Sequence, residues 1–576
     1  MSNQEIDFVA EFSPLTAALA ARRDSDRPAF TFVDYGDERD GVETTLTWAE
    51  LDRRARAVAA RLNQVTEAGE RVAVLCPQNL DYVVGFFGAL YAGVIAVPLF
   101  APEVSSHGER LVGALADSDP EVWLTSSSAV SSIKELMNAH PVPQPKQLIA
   151  VDTVDSALAD GFEAPAVEPD QPAYLQYTSG STRRPAGAVI THRAISANVR
   201  QVVAGFGVGE DSTCAGWLPF FHDMGLIQLV ALPAHTGAHS VFTTPFAFTR
   251  RPVRWLKLMS GRNDVITAAP NFAFEYTAAK LSKSDGAAEL DLSGVRSAIN
   301  GSEPVRAETI AGFLDAAGPL GFRAEAHRPS YGLAEATVFV STTPQRPPRV
   351  AILDRAELGA GRAVPVPEGD DRALRLVSAG VPVGQQVRIA DPAIGAPRID
   401  GEVGEIWIHG ANVADGYWRQ PERSAETFDG HLKGATPEGG WLRTGDLGVF
   451  LDGELYITGR LKDLIIIDGK NHYPQDIEAT AQEAHPVLRR DRLAVFSVTH
   501  DGREAPVVVA EYSNHVDAGE LDTGEVERAV RAAVAKHHDL RLHAFVLVRP
   551  GSVLRTSSGK IARSATRARY LKGELA

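Results

Sequence analysis

The strongest constraint on this chain is the alternation of short apolar runs with stretches of helical spacing over most of its length. RVAVLC (71–76), KQLIAVD (146–152), AYLQYTS (173–179), DVITAAP (264–270) and VRSAIN (295–300) have the length and apolarity of buried strands. Between them lie segments such as LTWAELDRRARAVAARL (46–62), whose apolar residues recur at helical spacing. Such alternation predicts an α/β protein, with parallel sheets covered by helices. At 576 residues the chain is also too long for one core, since cores rarely serve more than about 250–300 residues. No short repeat is visible.

The pattern changes after about residue 460. DLIIIDG, RLAVFSV, APVVVAEYS and AFVLVRPG read as short strands, and PQDIEATAQEA and GEVERAVRAAVAKHH as helices. The expected organisation is a large multi-subdomain unit over 1–460 and a small α+β unit over 461–576. From Arg528 onward, eleven Lys/Arg stand against two acids, Asp539 and Glu574, which suits either a docking face for an acidic partner or a solvated helical surface. Ala159–Ala173, Thr343–Asp371 and Gly434–Gly440 are polar and rich in Pro and Gly, so they read as loops. The second is long enough to predict structure or function of its own.

Charge and composition exclude several classes. Tyr82–Pro102 carries no charge and has the length of a membrane span, but Gly85, Gly88, Gly93 and Pro98 interrupt it. It parses as a buried helix (Asn79–Ala92), a glycine stop and a strand (Val94–Leu99). The net charge of −16 argues against nucleic acid and anionic membranes as partners of the whole chain. Cys76 and Cys214 form no metal spacing and no disulfide framework, which fits a reducing cytoplasm. The acidic start, MSNQEIDFVAEF, lacks the basic and apolar regions of a secretory signal.

The chemistry is read from five segments. YTSGSTRRPAG (177–187) crowds small residues after a strand, so that backbone N–H groups and the hydroxyls of Thr178, Ser179, Ser181 and Thr182 can face an anion. It is not a Walker A loop, and Arg183 and Arg184 could contact phosphate or water. SYGLAE (330–335) offers Tyr331 to stack on a base and Glu335 to hold Mg²⁺ with phosphate oxygens. RTGD (443–446) ends in a carboxylate after a tight turn, suited to ribose hydroxyls. RLKD (460–463) follows the strand ELYITG, and TSSGK (556–560) presents a lysine beside a glycine. Each of these is weak alone.

In this order, together with WLPFFHDMGLI (217–227), APNFAFE (269–275), NGSEPV (300–305), PSYGLAEATVFVSTTP (329–344) and GRLKDLIIIDGKNHYPQDIE (459–478), they resemble the adenylate-forming superfamily over nearly the whole chain. Within it the sequence looks most like the fatty-acyl-AMP ligases, especially the mycobacterial branch that activates very long chains. Thr343–Asp371 matches in place the insertion of these ligases, which is associated with loss of productive transfer to free coenzyme A. The superfamily's broader pattern has glycine at 183 and lysine at 186. Arg183 and Ala186 depart from it, as fatty-acyl-AMP ligases commonly do.

The resemblance implies adenylation of a long-chain fatty acid by ATP and transfer to the phosphopantetheine thiol of an acyl carrier protein or a polyketide synthase carrier domain. Lys560 matches the catalytic lysine. Thr178, Ser179, Gly180, Ser181 and Thr182 match the cradle of the β- and γ-phosphates, and Glu335 the Mg²⁺ ligand. Asn300, Gly301, Ser302, Tyr331 and Gly332 match the adenine pocket, Asp446 and Arg460 the ribose site, and Lys462 the hinge of a mobile small domain. His222 falls at the acyl entrance, or it caps a helix. Phe220, Met224, Gly225, Phe272 and Phe274 are expected along the acyl tunnel. His537 and His538 are expected on an exposed helix. An acyl-CoA synthetase, an aryl- or amino-acid-activating domain and a non-catalytic nucleotide-binding regulator are the competing readings.

Overall fold

A computed structural model describes residues 12–36, 38–102, 108–177, 185–284, 286–467, 470–500, 503–516, 521–555 and 560–575. Among these residues the expected α/β architecture is present. Pro28–Asp34, His239–Phe242, Thr213–Gly216, Val265–Pro270, Val295–Gly301 and His327–Gly332 lie side by side and parallel. Antiparallel strands close both edges, giving nine strands in all. A second sheet runs Gln147–Ala150, Val122–Thr125, Arg71–Val74, Ile95–Pro98, Pro172–Tyr177 and Gly187–Thr191, with its last pair antiparallel.

The uncharged stretch begins in the helix Leu80–Ala92, capped by Asn79 and stopped by Gly93 at φ 72°, and continues into the strand Ile95–Pro98. The helix packs on strands of both large sheets and is buried on nearly every face, which is why it carries no polar stripe. No helix among the described residues is long and apolar enough to cross a membrane. The helix expected from Leu46 begins at Trp48: Leu46 and Thr47 end the strand Val42–Thr47, and Thr47 forms a capping box with Glu50.

A four-stranded antiparallel sheet goes beyond the expected parallel plan. It consists of Gln386–Ala390, Gly404–His409, Leu442–Leu451 and Glu454–Arg460. Its last hairpin turns at Asp452 and Gly453, both at positive φ, as a two-residue turn between right-twisted strands requires. Within Thr343–Asp371 the chain forms the strand Val350–Asp354 and the helix Arg355–Gly359. Leu353 and Leu358 are buried with Tyr473, which belongs to the segment beyond residue 460. Arg355 donates to both carboxylate oxygens of Asp476, at 2.7 and 3.3 Å.

Beyond residue 460 the strands Leu488–His500, Arg503–Tyr512 and Ala544–Val548 form a sheet backed by the helices Pro474–Glu483 and Thr523–His538. The expectation of an exposed histidine pair is corrected here. His538 is buried, its Nε2 lies 2.7 Å from Thr480 Oγ1, and burial holds its ring down to about 4, so it is neutral at pH 7. Among the described residues no group of three His, Cys, Asp or Glu could hold a metal ion. Of the cations in the basic C-terminal segment, Arg563 pairs with Glu478 and Asp463 and Arg555 covers the Phe272 ring at 5.5 Å, whereas Arg528, Lys536, Arg541, Arg549, Arg567 and Lys572 are exposed.

Candidate active site

A cavity of about 1530 Å³ opens where the parallel strands of the nine-stranded sheet end, facing the four-stranded sheet and the C-terminal segment. Gly301, Ser302, Tyr331 and Gly332 line it from the carboxyl ends of two strands, the usual place for ligands in open α/β sheets. Gly332 is required by space. A Cβ there would lie 1.7 Å from the Val338 carbonyl oxygen, just before the antiparallel strand Phe339–Thr342 that returns beside it. Ser302 sits at φ 68° and brings its Oγ to 3.7 Å from Met224 Sδ.

Three sequence motifs meet on one carboxylate. Asp446 accepts from Arg460 Nε at 2.9 Å and from the Tyr331 hydroxyl at 2.8 Å. A carboxylate has about four acceptor sites, so this leaves capacity for a ligand hydroxyl. Asp446 holds the Arg460 guanidinium above its usual range, while burial and then Asp446 push the Tyr331 phenol well above its own. In place of the expected tight turn, Asp446 lies within the strand Leu442–Leu451 at an irregularity in its ladder, where buried Glu405 accepts from the Gly445 N–H at 3.0 Å and pairs with Arg443 at 3.3 Å. Gly445 takes φ 69° there.

Glu335 lines the same cavity, and its Oε1 accepts from the Tyr417 hydroxyl at 2.7 Å. Mg²⁺ keeps several waters and takes one or two carboxylates plus phosphate oxygens, so a single oriented carboxylate fits that ion. Tyr417 belongs to a segment that also holds the end of the small-residue loop: Val189 N–H donates to Gly416 O, and Trp418 N–H to Gly187 O. Thr178, Ser179, Gly180, Ser181 and Thr182, with Arg183 and Arg184, lie outside the described residues.

Lys560 enters the cavity from the C-terminal segment, the partner of Glu335 and Asp446 most distant in sequence. Burial and then Arg460 hold its ammonium below the usual lysine range, against the pull of Asp223, Glu303 and Asp446. Asp223 stays below the usual carboxylate range despite burial, because His222, Lys560 and the Met224 N–H stabilise its charge. His222 stands at the N-cap of the helix Asp223–Leu226 and lines the cavity, its Nδ1 2.6 Å from Asp223 Oδ1, which also accepts from the Met224 N–H at 2.6 Å. Lys462 lines the cavity too, in the one-turn helix Leu461–Asp463.

The apolar arm of the cavity is formed by Val202, Phe206, Met224, Ile227, Ala268, Ile299, Val338 and Phe339. Of the residues expected along an acyl tunnel, Met224 lines the cavity. Phe220 packs on Tyr82 and Phe242, and Phe274 on Trp255, Phe313 and His327, all within the core. Phe272 faces Arg555. Gly225 lets the helix approach Pro219, whose carbonyl oxygen would lie 2.1 Å from a Cβ. The Asn300 side chain points beneath the cavity floor and donates to His327 Nε2 at 3.0 Å. Burial lowers that imidazole to about 3, leaving it neutral and able to accept. Val202, Phe206 and Ala268 could not be singled out in sequence, because they are ordinary apolar residues of a helix and a strand. Glu303 stood unassigned inside NGSEPV, and Tyr417 had no motif to mark it.

Residues 18–418 match the AMP-binding enzyme family, and residues 462–576 match the Disco-interacting protein 2-like AMP domain. The chain is 45% identical to the long-chain-fatty-acid–AMP ligase FadD32 of Mycolicibacterium smegmatis, over 96% of this chain and 92% of that protein. It is 42% identical to the long-chain-fatty-acid–AMP ligase FadD28 of Mycobacterium tuberculosis, over 98% of each. The crystal structure of a Legionella pneumophila fatty acyl-adenylate ligase in complex with acyl adenylate and pyrophosphate superposes with a TM-score of 0.74. It is 32% identical, with 98% of this chain and 97% of that chain covered.

Proposed function

The chain belongs to the AMP-binding enzymes, among their fatty-acyl-AMP ligases, and from that premise we propose that its cavity activates a long-chain fatty acid with ATP and passes the acyl group to a carrier-protein thiol. In the first step the carboxylate oxygen attacks the α-phosphorus, and the bond to pyrophosphate breaks. The acid is already an anion at pH 7, since carboxylic acids titrate near about 4, so no general base is needed. The barrier lies in bringing two anions together, and a positioned cation and oriented donors lower it.

One observation carries this reading: Lys560, Glu335 and the Asp446–Arg460–Tyr331 group line one cavity that continues into an apolar arm. Lys560 is the cation for the developing charge between carboxylate and α-phosphate. Asp446 and Arg460 hold the ribose, and Tyr331 with Gly301, Ser302 and Gly332 flanks the base. Glu335 would hold Mg²⁺, which when bound neutralises charge on the phosphate oxygens. The apolar arm takes the chain, with His222 at its entrance. We divide the protein at residue 460, with Lys462 as the pivot about which the small unit withdraws Lys560 before transfer.

Fatty-acid-dependent release of pyrophosphate tests the first step, and its absence at every chain length excludes catalysis. Free coenzyme A tests the acceptor, because strong acyl-CoA production would identify an acyl-CoA synthetase. A pH profile tests Lys560. Its cation is the active form and its pKa is lowered, so kcat/KM for ATP should fall on the alkaline side earlier than an ordinary lysine would allow. Lys560→Arg should move that limb upward, since arginine stays protonated to about pH 12. A limb that does not move belongs to another group.

A further inference from the structure

The contact between the two units includes an ion pair whose position does more than join them. We propose that Arg306 and Asp491 form a latch holding the small unit where Lys560 enters the cavity, so that both are positioning residues for adenylation. This rests on the adenylating reading above.

Arg306 follows NGSEPV, and its backbone N–H is fixed by Asn271 Oδ1 at 3.1 Å. Its guanidinium meets Glu275 of the large unit at 3.8 Å through Nη1, and Asp491 of the small unit through Nη2. Glu275 is thus a resident counter-ion, and Asp491 is the one that can leave. Asp491 is presented by an irregularity in its strand. It takes φ 55°, the ladder register shifts between Leu488 and Leu493, and its N–H donates to Gln482 Oε1 at 3.1 Å. Such a bulge re-aims a side chain out of the ladder. With 34% and 22% of their side chains exposed, Arg306 and Asp491 are partly withdrawn from water, which strengthens the pair relative to a surface one.

The bulge is tied to the lysine. Two residues before Asp491, Arg489 pairs with buried Glu511 at 2.7 Å, and Glu511 also accepts from Val553 N–H at 2.9 Å. Gln482, which accepts from the Asp491 N–H, and Glu478, which holds Arg563 at 2.6 Å, share the helix Pro474–Glu483. Moving Asp491 away from Arg306 therefore moves the segment that carries Lys560 with it.

A double-mutant cycle on ATP–pyrophosphate exchange with dodecanoate tests the latch. Arg306→Ala and Asp491→Ala should each lower exchange by roughly 5–100-fold, the range of a population shift carried by one contact, with Arg306→Lys partly restoring it. The double variant should lose no more than the worse single one. Asp491→Asn, which tolerates the same backbone, serves if Asp491→Ala does not fold. Both native cysteines are buried, so spin labels at Glu325→Cys and Lys536→Cys report the distance between units. Arg306→Ala should broaden that distance distribution. Exchange within two-fold of wild type, multiplicative loss in the double variant, or exchange lost with an unchanged distance overturns the latch. A wild-type protein without exchange overturns the adenylating reading instead.

Discussion

Lys560→Ala should reduce acyl-AMP formation by roughly 10²–10³, about 3–4 kcal/mol of transition-state stabilisation, and leave transfer from supplied acyl-AMP near the wild-type rate. Lys560 is held among Asp223, Glu303 and Asp446, so its ammonium is neither free in solvent nor neutralised by a single partner. It lies on the segment that the proposed rotation withdraws before the thiol attacks. The measurement is two separate assays on one variant: pyrophosphate exchange with dodecanoate, and acyl transfer from dodecanoyl-AMP to a phosphopantetheine-bearing carrier protein. Equal losses in both would end the division of labour, because a lysine that leaves the cavity cannot act in the second step.

Gly332→Ala should also cost about 10²-fold in adenylation, with KM for ATP raised, because the new methyl runs into backbone. Its Cβ would lie 1.7 Å from a backbone oxygen, Val338 O, and 2.7 Å from the Val338 carbonyl carbon. Backbone cannot yield as a flexible side chain does, so the strand His327–Gly332 or its partner Phe339–Thr342 must shift. Tyr331 precedes this residue and Glu335 follows it within three positions. A misplacement of about 1 Å at such groups costs on the order of 10² in rate. Exchange kinetics and thermal unfolding together check the result. Wild-type exchange with wild-type stability would mean that the strands part without moving the site.

The legibility of the chain was uneven for physical reasons. RVAVLC and DVITAAP were readable as strands because parallel strands are buried on both faces and so are largely apolar. Leu80–Ala92 was readable as a buried helix because Gly93 marks its end. The strand within Val350–Asp354 and the pairing of Arg355 with Asp476 were not, since a polar insertion reveals its structure only through what it packs against. His538 looked like a surface residue beside His537. One position along a helix turns a side chain by about 100°, and that turn buries His538 against Thr480. The aromatic residues around Phe220 and Phe274 are apolar in the tunnel reading and in the core reading alike, and packing directions decided for the core.

By itself, the sequence determined the class of fold, the change of pattern near residue 460 and, through its resemblance to the adenylate-forming superfamily, the residues proposed for adenylation. Those depend on residue type and on motif order along the chain. The tertiary structure decided which groups meet. Tyr331, Asp446 and Arg460 converge on one hydrogen-bonded group across separate strands, and Tyr417 orients Glu335 from a distant segment. Asp491, beyond residue 460, reaches Arg306. Such distances are set by sheet order, register and packing. Those are properties of contacts between residues far apart in the chain, and no local stretch of sequence encodes them.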